Sequence, residues 1–486
     1  MTLFVKKECY NTPMKNTTLK SNLNSHQLEL FEKITVQLDA IIKTGMVWDN
    51  MVALSGAAGT GKTYLTTAII EHLKRDYHVT ITAPTHKALS VIVRNIHENK
   101  IIGVSAKTIH SFLGIKLFTD YDNGVQKFVP DKTKKNLDTT DILIVDESSM
   151  VSDELFDFIV HAVEQERVKA VLFVGDYYQL LPIDTQKNGL FSVRNHYKLR
   201  EIVRQAKDSY IIKIASAARE IIKNKSYIDL KTFFKDNMDI NILFFHNQED
   251  FLNDFYQTEN WNSQDQVIAS FRNTDVDAYN RLARKRHWQD KGREDELPTL
   301  LAGDKIVFQS AYSINGVLKY NNNQEIMLSS AEQKFSNALE IAYWECQDAD
   351  VANCSEIIRI VDPESAMVFN DKLKKIATAA RKERNHVTRK KMWENYFALK
   401  ELFADVKYTF ASTIHKLQGS TYETVYIDLF GLSNSTSIDK DQLYRLVYVA
   451  ITRASKDIKI LIPALSNVSI ESIEDDFLQL FADVNF

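Results

Sequence analysis

Met51-Val-Ala-Leu-Ser-Gly56-Ala-Ala-Gly-Thr-Gly-Lys-Thr63 is the stretch on which the fold turns. Its first five residues read as a buried strand, Gly56 to Thr63 fits G-x-x-x-x-G-K-[ST], and a helical run follows. Glycine lets such a loop curl until its backbone N–H groups point inward, and the next helix N-terminus adds a favourable dipole. The spacing therefore predicts a phosphate cradle made by Gly56, Ala57, Ala58, Gly59, Thr60 and Gly61. Lys62 is expected to bridge β- and γ-phosphates and Thr63 to ligate Mg²⁺, so ATP and Mg²⁺ are the expected cofactors.

Outward from this loop, apolar runs at Val79 to Ala83, Ile142 to Val145 and Val171 to Val174 alternate with helical spacing. That rhythm predicts a doubly wound α/β domain with buried parallel strands. Two of the runs end in carboxylates, where ligands gather in open α/β sheets. Asp146 suits Mg²⁺ and Glu147 suits the base that orients and deprotonates an attacking water. Gly175-Asp176 repeats the design, with Gln179 placed to sense a γ-phosphate or hold that water.

At 486 residues the chain should hold about three packed units. Its 44% hydrophobic and 26% charged residues exclude a mainly disordered protein. A net charge of -4 excludes a general affinity for polyanions, so any nucleic-acid site must be a local patch. Cys9, Cys346 and Cys354 are too few and scattered for a disulfide framework or zinc cluster. No apolar run is long enough to cross a bilayer, and the Lys-bearing start lacks the apolar core of a signal peptide. A cytoplasmic protein is expected, in a host cytoplasm if phage-encoded.

Residues 1–22 read as a polar lead-in and 23–200 as the first α/β domain. Asp122-Asn123-Gly124, between Phe118, Tyr121, Val125 and Phe128, predicts the tip of a hairpin inserted at about 115–130. A second α/β rhythm at Val267 to Phe271, Lys407 to Ser412, Thr424 to Leu429 and Ile458 to Ile462 assigns 201–302 and 404–486 to a second domain. Between its halves, 303–403 predicts a small antiparallel barrel, with strands at Gly303 to Phe308, Glu325 to Leu328 and Leu339 to Ile341, followed by helices. From Lys372 to Lys391 there are nine Lys or Arg against the single acid Glu383, which reads equally as a solvated face or a nucleic-acid contact. Glu471 to Phe486 reads as a final amphipathic helix or an acidic docking peptide for a replication partner.

These motifs, in this order, resemble superfamily 1 DNA helicases of subgroup B, the RecD-like branch, from about Leu23 to Ile462. The resemblance implies two tandem RecA-like motor domains, with the hairpin acting as a strand-separating pin and the barrel being Src-homology-3-like. It places Gln27, in Leu23-Asn-Ser-His-Gln27, on the adenine base. Pro84, Thr85 and His86, with Thr108, His110 and Phe112, become strand-gripping residues of the first domain. Thr413, His415 and Lys416 take the strand side of a coupling block whose Gly419 lies on the nucleotide side. Arg204 and Arg453 become two arginines reaching the γ-phosphate, suited to it by their planar, always charged forks.

The implied activity is ATP-dependent translocation 5′ to 3′ on single-stranded DNA with unwinding of duplex, in phage replication or recombination. Phe118, Tyr121 and Phe128 are the candidate pin aromatics. Implied partners are single-stranded DNA, duplex junctions, and replication or single-strand-binding proteins, with a monomer sufficient. The alternative is an ATP-driven remodeller of protein–DNA complexes that does not open duplex. Two departures stand out: Gln179-Leu-Leu-Pro182 replaces a Gln-Leu-Pro-Pro run, and Asn321-Asn-Asn323 replaces an Asn-Gly turn of the barrel.

Overall fold

A computed structural model describes residues 19–45, 49–131, 136–182, 193–203, 209–237, 239, 241–258, 261–263, 265–293, 297–314, 317–351, 356–433 and 438–462. Arg204, most of the expected lead-in and the acidic segment 471–486 lie outside these residues.

In the first domain the chain makes β1 (Met51–Gly56), β2 (Val79–Ala83), β3 (Ser105–Thr108), the pair β4 (Ile115–Asp120) and β5 (Val125–Pro130), then β6 (Thr140–Val145), β7 (Val168–Gly175) and β8 (Asn195–Leu199). Six of them form one parallel sheet in the order β3-β2-β6-β7-β1-β8. The helices are α1 (Ser25–Thr44), α2 (Lys62–Leu73), α3 (His86–Glu98), α4 (Ile109–Leu113) and α5 (Asp153–Glu164). One face of the sheet packs Ile81, Ile144 and Leu172 against Ile34, Leu38, Leu65 and Ile69. The other packs Leu143, Val145 and Phe173 against Phe112, Leu155 and Ile159. Burial on both faces explains why these strands are continuous apolar runs without alternation. Because β6, β7 and β1 are neighbours, the ends that carry Asp146, Asp176 and the glycine-rich loop emerge side by side. The edge strand β8, polar at Asn195 and His196, carries no pattern that marks it as a strand.

The second domain opens with α6 (Tyr210–Asn224), β9 (Leu243–Phe245), α7 (Gln248–Gln257), β10 (Gln266–Ser270) and α8 (Asn273–Asp290). The chain then leaves its sheet for β11 (Lys305–Phe308), β12 (Tyr312–Ile314), β13 (Val317–Tyr320), β14 (Glu325–Ser336), β15 (Ile341–Asp348), β16 (Ile358–Val361), α9 (Ala366–Lys382), α10 (His386–Glu401) and β17 (Val406–Tyr408). It returns as β18 (Ala411–Thr413), β19 (Tyr422–Asp428), α11 (Lys440–Thr452) and β20 (Ala454–Leu461). The second sheet is parallel, in the order β18-β10-β19-β20-β9.

The inserted strands form an antiparallel sheet, β16-β15-β14-β11-β17, closed towards a barrel where Ala404 N–H donates to the Arg359 carbonyl at 2.7 Å. Two expectations change here. Lys407 to Ser412 is not one strand, because Val406–Tyr408 pairs with β11 and Ala411–Thr413 pairs with β10, leaving Thr409-Phe410 as the link. The barrel therefore ends after residue 403, at Tyr408. Leu339-Glu340 is not strand but the turn between β14 and β15, with Glu340 at φ 49°. At the other turn Asn323 takes φ 60°, the left-handed conformation Asn tolerates better than most residues.

β4 and β5 pair antiparallel from Ile115↔Pro130 to Asp120↔Val125, as the Asp-Asn-Gly tip predicts. Their tip does not stand free. Trp393 of α10 lies so close to Gly124 that a Cβ there would come within 2.2 Å of the indole. Arg389 Nε also donates to the Asp122 carbonyl at 3.1 Å, and Tyr121 meets the Phe397 ring edge-on at 6.0 Å. Among the described residues no helix is long and apolar enough to cross a membrane.

Candidate functional site

The two parallel sheets face each other across a cavity of about 500 Å³ lined by Ala58, Lys62, Thr63, Asp146, Glu147 and Gln179 from the first domain, and by Gly419 and Arg453 from the second. The loop is curled as its glycines predict, with Gly59 at φ 76° and Gly61 at φ 79°. Gly56 is fixed by crowding instead, since a Cβ would meet Thr60 Oγ1 at 2.7 Å. Lys62 Nζ donates to the Gly56 and Ala57 carbonyls at 2.6 and 3.1 Å, which holds the ammonium over the loop.

Gln27 lies under this loop. Its Nε2 donates to the Thr60 carbonyl at 3.2 Å, and its Oε1 accepts from Asn24 N–H in a capping box that starts α1. In this arrangement the carboxamide supports the loop, with one N–H and one lone pair left for a base.

Asp146 extends β6, its N–H donating to the Thr82 carbonyl at 2.8 Å. Burial and the adjacent Glu147 carboxylate push its pKa up to about 7, with Lys62 pulling the other way. Glu147 holds φ 48°, a left-handed conformation that costs roughly 1 kcal/mol or more for a non-glycine residue. Asp146 and Thr63 are oxygen donors beside the phosphate loop, a set that fits Mg²⁺, which keeps waters and takes few protein ligands. Gln179 is buried on the cavity wall with no hydrogen-bond partner for its Oε1 among the described residues. A buried acceptor left without a donor is costly, and the residue that carries it lines the cavity.

The second domain grips the loop that carries Gln179. Tyr448 donates its phenol hydrogen to Asp176 Oδ2 at 2.7 Å and accepts from Ala58 N–H at 3.0 Å. Arg445 Nη1 donates to the carbonyls of Tyr177 and Gln179 at 2.7 and 3.0 Å, and Gln418 Nε2 to that of Leu180 at 3.1 Å. Burial, then Asp176, push the Tyr448 phenol well above its ordinary range, so it stays a donor. Arg453 is held by the carbonyls of Val449 and Ser420, both at 3.2 Å, and lines the cavity. In the sequence Tyr448, Gln418 and Asp176 stand out only as parts of motifs, and Arg445 does not stand out at all. The signal for Tyr448 and Arg445 is helical spacing with Thr452: positions 445, 448 and 452 share one face of α11.

Among the residues expected to grip a strand, Thr85 caps α3 by accepting from Ala88 N–H and Thr108 caps α4 by accepting from Ser111 N–H. Pro84 is half-buried before that first cap. His86 is exposed, beside Asn321 of the barrel turn. His110 packs on Phe128 with ring centroids 4.6 Å apart. Burial lowers the pKa of His86, His110 and His415. Thr413 is buried, and Lys416 donates to Gln309 Oε1 of the barrel.

Phe112 does not belong on this surface. It is 0% exposed in the core beneath the sheet, with the Arg167 guanidinium over its ring, because α4 turns its apolar face inward. Of the candidate pin aromatics, Phe128 is packed on His110 and the first core, and Tyr121 on the cluster of Ala377, Trp393 and Phe397. Phe118 is 45% exposed, beside exposed Leu117.

Comparison with known proteins fits this geometry. Residues 34–230 match the family model described as AAA domain, and residues 408–460 match the UvrD-like helicase C-terminal domain. The ATP-dependent DNA helicase dda of Enterobacteria phage T4 is 27% identical over 84% of this chain and 93% of its own length. An uncharacterised protein of Acanthamoeba polyphaga mimivirus is 23% identical over 84% and 94%. The ATP-dependent DNA helicase Pif1 of Campylobacter jejuni is 30% identical over 36% and 38%. A solved Pif1 helicase from Bacteroides, in complex with ADP-AlF3 and single-stranded DNA, aligns over 94% of this chain and 97% of its own at TM-score 0.44 and 16% identity. The motifs, the two family models and the sequence similarity to dda and Pif1 support an ATP-dependent DNA helicase of superfamily 1, subgroup B.

Proposed function

We propose that this helicase moves 5′ to 3′ along single-stranded DNA and opens duplex at the β4–β5 hairpin. The observation that carries the coupling of ATP to movement is the grip of Tyr448, Arg445 and Gln418 on the Asp176–Leu180 loop, which presents Gln179 to the cavity. A γ-phosphate that pulls on Gln179 and Arg453 favours closure of the two sheets, and its loss after hydrolysis favours opening, a population shift driven by differential contact.

In the cleft, Glu147 takes the proton of the attacking water and Gln179 Oε1 accepts a hydrogen bond from it. Lys62, Arg453 and Arg204 neutralise charge on the transferring phosphoryl oxygens. Mg²⁺ held by Thr63 and Asp146 supplies further positive charge there. Pro84, Thr85, His86, Thr108, His110, Thr413, His415 and Lys416 grip the strand, the histidines as neutral rings. Phe118 is the pin aromatic with an exposed face to stack on a junction base. A monomer suffices for this cycle, with phage replication or recombination as its setting and single-strand-binding or replication proteins as its partners.

The test is ATP hydrolysis with and without oligo(dT), alongside unwinding of matched partial duplexes with a 5′ or a 3′ tail. Stimulated hydrolysis and opening from the 5′ tail alone is the expected result. Opening from the 3′ tail would reverse the polarity. Stimulated hydrolysis with neither duplex opened would make the protein a remodeller of protein–DNA complexes.

A further inference from the structure

The far end of the α9–α10 pair is a basic head on a protein that is acidic overall. Lys374, Lys375, Lys382, Arg384, Lys390 and Lys391 are all exposed, and none forms an ion pair among the described residues. The other cations of this run are engaged: Lys372 with Glu340, Arg389 with the Asp122 carbonyl, and Arg381 over the Trp393 ring. The head therefore concentrates unpaired charge within three helical turns of its tip.

Its position gives that charge a direction. The hairpin's base lies at the strand-facing surface, where Phe128 packs on His110, while its tip is seated on the head through Gly124–Trp393 and Asp122–Arg389. Strands of six residues span about 20 Å. The unpaired cations thus lie about one hairpin length from the His110 surface, on the helix pair that seats the tip. Lys375 stands seven residues before the end of α9, which places charge along about 10 Å of helix. One strand advances about 3.4 Å per phosphate along a duplex axis, so a row of this length is long enough to reach more than one phosphate.

We propose that the head holds the phosphate backbone of the duplex ahead of the hairpin, without contacting the translocating single strand. The inference rests on the hairpin being the strand separator. The head then steers, keeping the incoming duplex aligned on the hairpin while the motor advances.

The test uses the full chain with Lys374, Lys375, Lys390 and Lys391 all replaced by Gln, its folding checked by thermal melting. Binding is measured by anisotropy against oligo(dT) and against a fork with a 5′ tail, across a salt series. The expected result is an affinity for the fork lower by about tenfold, with a log–log salt slope smaller by about three, and unchanged oligo(dT) affinity and oligo(dT)-stimulated hydrolysis. Equal losses on oligo(dT) and fork would overturn the proposal in favour of a single-strand contact. No loss on either would return the head to a solvated surface. Phe118→Ala, Tyr121→Ala and Phe128→Ala separate this from the hairpin reading: wild-type unwinding by all three would overturn the hairpin as separator, whereas the fork-specific loss in the lysine variant reads the duplex contact by itself.

Discussion

The nucleotide cleft and the strand-facing surface are built from the same pair of domains and in opposite ways. In the cleft one acceptor has capacity to spare, since Gln179 Oε1 has no donor among the described residues, while Ala58 N–H and the Lys62 ammonium are held by Tyr448 and by the Gly56 and Ala57 carbonyls. On the strand side the corresponding groups are engaged by their own protein. Thr85 and Thr108 cap helices, Lys416 holds Gln309, and Lys87 Nζ donates to the Tyr422 hydroxyl at 3.0 Å. One site is prepared for its ligand. Under the proposed function a strand bound at the other would compete with the Lys87–Tyr422 and Lys416–Gln309 contacts, which couples its binding to domain arrangement.

The sharpest break in the comparison comes from Lys62→Ala, which should lower ATP hydrolysis by about 10²- to 10³-fold with the melting temperature unchanged, since it removes charge stabilisation and little packing. Gln179→Leu should cut kcat by about 10²-fold and leave KM for ATP nearly constant, if its oxygen acts on the attacking water. A rise in KM with kcat intact would make Gln179 a binding group instead. Phe112→Ala is the control for the other region: it should destabilise the first domain by about 3–5 kcal/mol, read by denaturant unfolding, as a core cavity does. A surface strand contact would leave unfolding unchanged.

Tyr448→Phe should slow DNA-stimulated hydrolysis by about tenfold, with basal hydrolysis less affected, because it loosens the bridge between Asp176 and Ala58. Equal slowing of both would limit Tyr448 to supporting the phosphate loop. The smallest effect concerns pH. Burial lowers the pKa of His110 and His415, which favours their neutral rings at pH 7. Their burial therefore weakens the fold only as pH falls below about 6.5, where the unfolded chain takes up protons that the native state resists. Oligo(dT) affinity should stay flat from pH 8 to 6.5 in fixed salt, and a steep gain on acidification would mean that imidazolium grips the strand.

The cleft was legible because its chemistry lies at strand ends. A buried apolar run followed by Asp146-Glu147 or Gly175-Asp176 encodes strand, end and carboxylate in consecutive residues. The same logic failed at Lys407 to Ser412, where two strands of different sheets follow each other with two residues between them and periodicity cannot mark the change. Phe112 was misplaced because a motif assigns a position to a block, whereas the 3.6-residue period decides which side chain faces the core. Arg445 and Tyr448 depend on a partner domain more than 260 residues away, a contact that local pattern does not contain.

Among the described residues the barrel is tied to the second motor domain by the half-buried Thr409-Phe410 link between β17 and β18, by Asp304, which accepts from Arg284 Nε at 2.9 Å and Trp288 Nε1 at 2.8 Å of α8, by Lys407, which pairs with Asp277 of α8, and by Lys416, which donates to Gln309. The barrel and its helical arm then behave as a yoke bolted to the second motor domain, and each small rotation at the nucleotide is geared up with distance from the cleft, becoming largest where the arm meets the hairpin.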